Sequence, residues 1–200
     1  MRLFMRMFLA LFMVISAGHV IAAPTSLFDG KSFSGWEGPK EFFRIESGAI
    51  VGGSLERRIP KNQFLATTRA YANFDLRLQF KVIGKDINAG VQVRSRRISS
   101  HHEMIGYQVD IGQHYWGSLY DESRRRRILA QANLAEVLEV VDLEGWNMYR
   151  IRCEGRRVRA WINGYQTIDY TNRMRRSSRT GSSGCRSTAG HRPRCGTRTS

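Results

Sequence analysis

The chain has 200 residues, room for one ordinary domain with appendages, and a formal net charge of +15. Most of that charge is an end effect. Positions 172–200 hold eight arginines and no acid, the first 23 residues hold two more, and the body between carries 22 Lys and Arg against 17 Asp and Glu. A net of +5 on the body is ordinary for a soluble domain, so charge gives no reason to read a nucleic-acid binder.

At the N-terminus Arg2 and Arg6 flank a basic start, Met7 to Ile15 is unbroken apolar sequence, and small residues run to Ala22, Ala23 and Pro24. This is the layout of a secretory signal peptide, with cleavage expected after Ala22 or Ala23. The apolar run falls short of the ~20 residues needed to cross a bilayer, so no stable membrane span is expected after cleavage. The mature protein is expected to be secreted or periplasmic.

The body, residues 24–171, reads as antiparallel β-sheet. Ser47-Gly48 separates Phe42–Ile45 from Ile50–Val51 as a hairpin turn. Phe74, Leu76, Leu78, Phe80 and Val82 alternate with Asp75, Arg77, Gln79 and Lys81, a period of two that predicts a strand with one buried face. Val91 and Val93 alternate with Gln92 and Arg94, and Ile105, Tyr107, Val109 and Ile111 with Gly106, Gln108 and Asp110. Ile128 to Val141 is the one stretch expected to be partly helical. Tyr149, Ile151 and Cys153 form another alternating run, turned back by Gly155. Asn163-Gly164 then joins Val158–Ile162 to Tyr165–Tyr170, and Asn-Gly is a strong hairpin signal because both residues tolerate positive φ. Many short strands joined by tight turns predict an all-β sandwich.

After Thr171 the composition changes to Arg, Ser, Gly and Thr with no apolar run long enough for a strand. A basic disordered tail, residues 172–200, is one reading. A change of reading frame is the favoured one. With codons chosen within the genetic code, shifting the frame over Gly181–Ser200 permits FIGLQVHRGPPAEVRYTNI, and one restored guanine near codon 172 permits TEPDATIVANR before it. That string holds an apolar strand, a Gly-Pro-Pro turn and a second strand. The sandwich as translated is therefore expected to lack its last strands, leaving exposed sheet edges.

No Gly-x-Ser-x-Gly elbow, His-Glu-x-x-His helix or phosphate loop is present. Polar residues concentrate between Asn88 and Arg127. Gln92 and Arg94 point away from the valines of their strand, and Gln108 and Asp110 share a face of theirs. If these strands are neighbours, Arg94 and Asp110 face one groove. The loop after Asp110 adds Gln113, His114, Tyr115, Trp116, Tyr120, Asp121 and Glu122. Carboxylates beside aromatic rings suit sugars, since rings stack on pyranose faces and carboxylates accept hydroxyl bonds or move protons. His101-His102 is read as a solvated loop rather than a metal site, because adjacent strand residues point to opposite faces. The Arg124–Arg127 run is read as a solvated turn. Three cysteines without motif spacing make neither a disulfide framework nor a metal site.

Seven phrases in order carry a family resemblance: LFDGKSFSGWEG, FFRIESGAIVGG, NFDLRLQFKV, NAGVQVRS, GYQVDIGQHYWGSLYDES, GWNMYRIRCEG and WINGYQTIDYT. Spanning Ser26 to Thr171, they resemble the 3-keto-disaccharide hydrolase domain family, 3-keto-glucoside lyase- or hydratase-like. The frame-shifted string is similar to that family's closing strands. The resemblance implies a concanavalin A-like sandwich acting on 3-keto-glycosides by hydrolysis or by elimination and hydration. It implies Asp110 as the base that removes the C2 proton, Arg94 on the enolate oxygen, and Asn88, Gln108 and Gln113 on hydroxyls. Trp116 and Tyr120 would form the stacking wall, with Asp121 and Glu122 as acid or as ligands for a divalent cation such as calcium. The alternatives are a non-catalytic carbohydrate-binding or adhesion module and an inactive truncated product. The Glu-x-Asp-x-x-Glu strand of endoglucanases on this fold is absent, since Glu139, Asp142 and Glu144 are spaced differently.

Overall fold

The computed structural model describes residues 23–173 in full and Ser182–Ser187 and Arg194–Arg198 as backbone. Positions 1–22, where nearly all of the expected signal peptide falls, lie outside the described residues.

The elements follow the alternation in the sequence. In chain order they are β1 (Trp36–Glu37), β2 (Phe43–Glu46), β3 (Ala49–Gly52), β4 (Gln63–Thr67), β5 (Phe74–Ile83), β6 (Ala89–Arg97), β7 (Met104–Ile111), β8 (Leu119–Glu122) and β9 (Ile128–Ala130). A short helix α1 (Leu134–Val140), β10 (Asn147–Glu154), β11 (Arg157–Ile162) and β12 (Tyr165–Thr171) complete the body. The hairpins form where the turn chemistry asks for them. Ser47 and Gly48 take φ of 49° and 73°, and Asn163 and Gly164 take 48° and 89°. Such pairs of positive φ match the twist of the strands they join.

Two seven-stranded antiparallel sheets pack face to face, ordered β1-β4-β13-β6-β7-β8-β9 and β12-β11-β10-β5-β14-β3-β2. Here β13 is Ser182–Ser187 and β14 is Arg194–Arg198. The core between the sheets is built from the inward residues of both. Leu78, Phe80, Val82, Tyr149, Ile151 and Cys153 meet Val91, Val93, Tyr107, Val109, Ile111 and Leu119. Burying each of the larger of these contributes roughly 1.5–3 kcal/mol, and this layer fixes which side of β6, β7 and β8 faces outward.

The C-terminal segment differs from the sequence expectation. Positions expected to lie outside the sandwich and to leave it short of strands instead pair within it: β13 fills the gap between β4 and β6, and β14 the gap between β5 and β3. Ladder hydrogen bonds belong to the main chain, so an extended backbone can complete the ladders on both sides of each slot.

Candidate functional site: a polar groove on one sheet

The outward residues of β6, β7 and β8 form the site. Register sets Gly90 opposite Asp110, Gln92 opposite Gln108, Gln108 opposite Tyr120 and Gly106 opposite Glu122. Directly opposed residues share a face, so Gln92, Gln108, Asp110, Tyr120 and Glu122 stand on one surface. All of them but Gln92 line a groove of about 500 Å³, together with Asn62, Asn88, Tyr115, Arg127 and Ile128. A second, smaller hollow of about 110 Å³ beside Arg44 and Arg57 lies on other elements and gathers none of these groups.

The Asp110 carboxylate is the end point of a buried chain of polar side chains. The Ser95 hydroxyl donates to Gln92 Oε1 (2.6 Å), Gln92 Nε2 donates to Gln108 Oε1 (3.2 Å), and Gln108 Nε2 donates to Asp110 Oδ1 (2.5 Å). A bond to a carboxylate is charge-assisted, so Gln108 holds Asp110 in a fixed orientation. The main chain of Asp110 is fixed as well. Its N–H donates to Ser118 O (2.9 Å), and its carbonyl accepts from Gly117 N–H (2.9 Å) and from the Tyr149 hydroxyl (3.1 Å) of the other sheet. Burial pushes the Tyr149 hydroxyl well above the usual tyrosine range, aided by the nearby Asp110 charge. Gly90 is the space that makes this possible: a Cβ there would stand 2.7 Å from Gln108 Cγ.

Asn88, Gln108, Asp110, Tyr120 and Glu122 are where the sequence places them, around one groove. Four other expected residues lie elsewhere. Arg94 sits at a register shift between Val93 and Arg96, with φ of 52°, and its guanidinium donates to Ala72 O (3.3 Å). It also lies close enough to the core thiol of Cys153 to act on its titration, so the bulge has turned it out of the alternation. Trp116 is buried against Phe80, with ring centroids 6.1 Å apart, and pins the β7–β8 loop to the core. The exposed ring of Tyr115 takes its place at the groove. Asp121 follows strand alternation to the face opposite Glu122. There it is fully buried and held by Arg124 and Arg125, whose guanidinium also donates to the Tyr107 and Tyr170 hydroxyls. Gln113 occupies an exposed turn with φ of 49° and does not line the groove.

The Arg124–Arg127 run is thus more than a solvated turn: its first two members neutralise Asp121 and its last lines the groove. Asn62, Arg127 and Ile128 were absent from the sequence-based set. Only the strand order, which puts β4 and β9 in the same sheet as β7, reveals them, and no local motif marks them. The side chain of Asn62 donates to Glu103 (2.9 Å), which ties that rim to the 98–103 loop. His101 and His102 lie in this loop with their rings stacked, centroids 4.4 Å apart, rather than on opposite faces. Among the described residues no three His, Cys, Asp or Glu side chains gather as a metal cage.

Two packed antiparallel sheets with a polar groove on one of them define a concanavalin-like sandwich of the carbohydrate-active type. Solved structures share it. A candidate glycosyl hydrolase from Parabacteroides distasonis aligns with TM-score 0.64 at 17% identity, over 88% of this chain and 93% of its own. The carbohydrate-binding module CBM66 from Bacillus subtilis aligns at 0.62 and 12%, over 82% and 92%. A Bacillus licheniformis β-glucanase aligns at 0.53 and 9%, over 85% and 92%. These likenesses establish the fold. The family is given by sequence: residues 23–191 match the 3-keto-alpha-glucoside-1,2-lyase-like domain, and the chain belongs to that family. No curated protein matches the sequence.

Proposed function

We propose that the protein is exported and that its groove cleaves 3-keto-glycosides, with Asp110 as the base. The observation that carries this reading is the Asp110 carboxylate itself, oriented by Gln108 at the floor of a sugar-sized groove. A ketone at C3 acidifies the proton on C2. Asp110 takes that proton, and the electron pair of the C–H bond delocalises onto the C3 oxygen as an enolate. Collapse of the enolate forms the C1–C2 double bond and breaks the bond from C1 to the glycosidic oxygen, which leaves with a proton. Addition of water across the new double bond completes a net hydrolysis. Tyr115 and Tyr120 supply rings for the pyranose face, and Asn62 and Asn88 supply amides for its hydroxyls.

Glu122 is the acid nearest the other end of the groove. On adjacent strands, four residues out of step, its Cα stands roughly 14 Å from that of Asp110 by strand geometry. The two carboxylates therefore address separate parts of the substrate rather than sharing one proton. The C2 proton and the glycosidic oxygen sit on adjacent carbons, so Asp110 deprotonates C2, the departing oxygen takes its proton from water, and Glu122 accepts hydroxyls further along the substrate.

The test compares a chromogenic 3-keto-glucoside with the unoxidised glucoside. Release of the aglycone is expected from the ketone alone, with C2 exchange in deuterated buffer. Asp110→Asn is expected to lower kcat by about 10²–10⁴-fold with the circular dichroism spectrum unchanged. Saturable sugar binding without turnover by the unmodified chain would instead make the groove that of a binding module.

A further inference from the structure

Positions 182–187 and 194–198 occupy central slots, one in each sheet, yet their sequences are SSGCRS and RCGTR. Central strands of a sandwich need apolar residues at alternate positions. The register says which. Cys185 stands between Leu65 and Val91, and Ser187 between Gln63 and Ala89. Cys195 stands between Gly52 and Val82, and Thr197 between Ile50 and Phe80. Leu65, Val91, Ala89, Val82, Ile50 and Phe80 are all buried in the cores between the sheets, so the register places 185, 187, 195 and 197 in the rows of core residues.

We infer that the natural protein carries these two strands in a different reading frame, shifted by one missing base before codon 172. The two cysteines give an argument that needs no choice of codon. Every cysteine codon begins with TG. In the shifted frame TG becomes the second and third bases, and codons ending in TG encode only leucine, methionine or valine. Both core positions now read as cysteine therefore become large and aliphatic whatever the underlying DNA. Ser187, where its codon begins with TC, becomes Phe, Leu, Ile or Val by the same logic, and Thr197 has tyrosine among its four possibilities. In the compatible string the four core positions read Leu, Val, Val and Tyr, while the alternate positions 194, 196 and 198 read Glu, Arg and Thr. Apolar-in, polar-out alternation reappears in register with the neighbouring strands. Both prolines of the string fall between the two strands, where they cost no ladder bond.

The shift also reaches the groove sheet. Position 186 lies in the row Phe64–186–Gly90–Asp110. Arginine there becomes glutamine, serine or proline, so a formal positive charge disappears from the row that ends at the proposed base.

The experiment is peptide mapping of the protein isolated from its native host, with intact mass. Trypsin is expected to release the shifted-frame peptides, FIGLQVHR and GPPAEVR in the compatible string. Detection of TGSSGCR and STAGHRPR, with an intact mass matching the 200-residue translation or its signal-cleaved form, overturns the inference. As a second measurement, the two versions are made recombinantly. The shifted-frame chain is expected to melt more than about 10 °C higher, and equal melting temperatures would also overturn the proposal. Neither readout depends on catalysis, so failure here is distinct from failure of the 3-keto-glycoside reading.

Discussion

Gln92 is fully buried, does not itself line the groove, and still decides how Asp110 is presented. Its Nε2 donates to Gln108 Oε1, which leaves only the Gln108 N–H group to face the carboxylate. Were the Gln108 amide reversed, two oxygens would confront each other. Gln92→Leu keeps the volume and removes the donor. It is expected to lower kcat by about tenfold and leave KM within twofold, since Asp110 loses the group that fixes its orientation. Gln108→Leu should lower kcat at least as far. A Gln92→Leu kcat equal to wild type would show that the amide chain only fills space.

At the scale of elements, strand alternation both guided and misled the sequence reading. β5, β7 and β10 were legible because period-two runs bury one face, and the Asn163-Gly164 and Ser47-Gly48 hairpins because few other residues accept those angles. Alternation also implies that Asp121 and Glu122, being adjacent on β8, cannot both face the groove. Asp121 is the structural one of the two. Its side chain is fully buried and paired with Arg124 and Arg125 three and four residues on. Asp121→Asn is expected to cost about 3 kcal/mol in denaturant unfolding while kcat stays near wild type, the reverse of Asp110→Asn. What alternation did not reveal is a bulge. The extra residue in β6 sends Arg94 toward Ala72 and Cys153, and nothing in the local sequence announces it. The burial of Trp116 was equally illegible, because an aromatic residue in a loop is as able to dive into a core as to line a groove.

Across the whole molecule, the outer face of the sheet opposite the groove carries a lattice of ion pairs. Asp75 pairs with Arg150, Glu154 with Arg152 and Arg159, and Asp169 with Arg157. Hydrogen bonds from Arg150, Arg152 and Arg157 hold the three carboxyls below the usual range. Groups with a depressed folded pKa stabilise above their unfolded pKa, and that contribution is lost as pH falls through the folded value. The melting temperature is therefore expected to be flat near neutrality and to fall below about pH 4, with a smaller fall in high salt because these pairs are exposed. A salt-independent acid transition would show that these exposed pairs do not set the acid sensitivity.

The Tyr149 hydroxyl donates from one sheet to the carbonyl of Asp110 in the other, and its raised pKa keeps that donor protonated through the physiological pH range. The proposed base is thus tethered by its backbone to the far wall of the sandwich. Any breathing that parts the sheets pulls on the strand that carries the proposed base before it exposes the core. Heat inactivation should consequently precede, or at the latest accompany, loss of the protein's shape, and the groove becomes an early reporter of how tightly the two halves hold together.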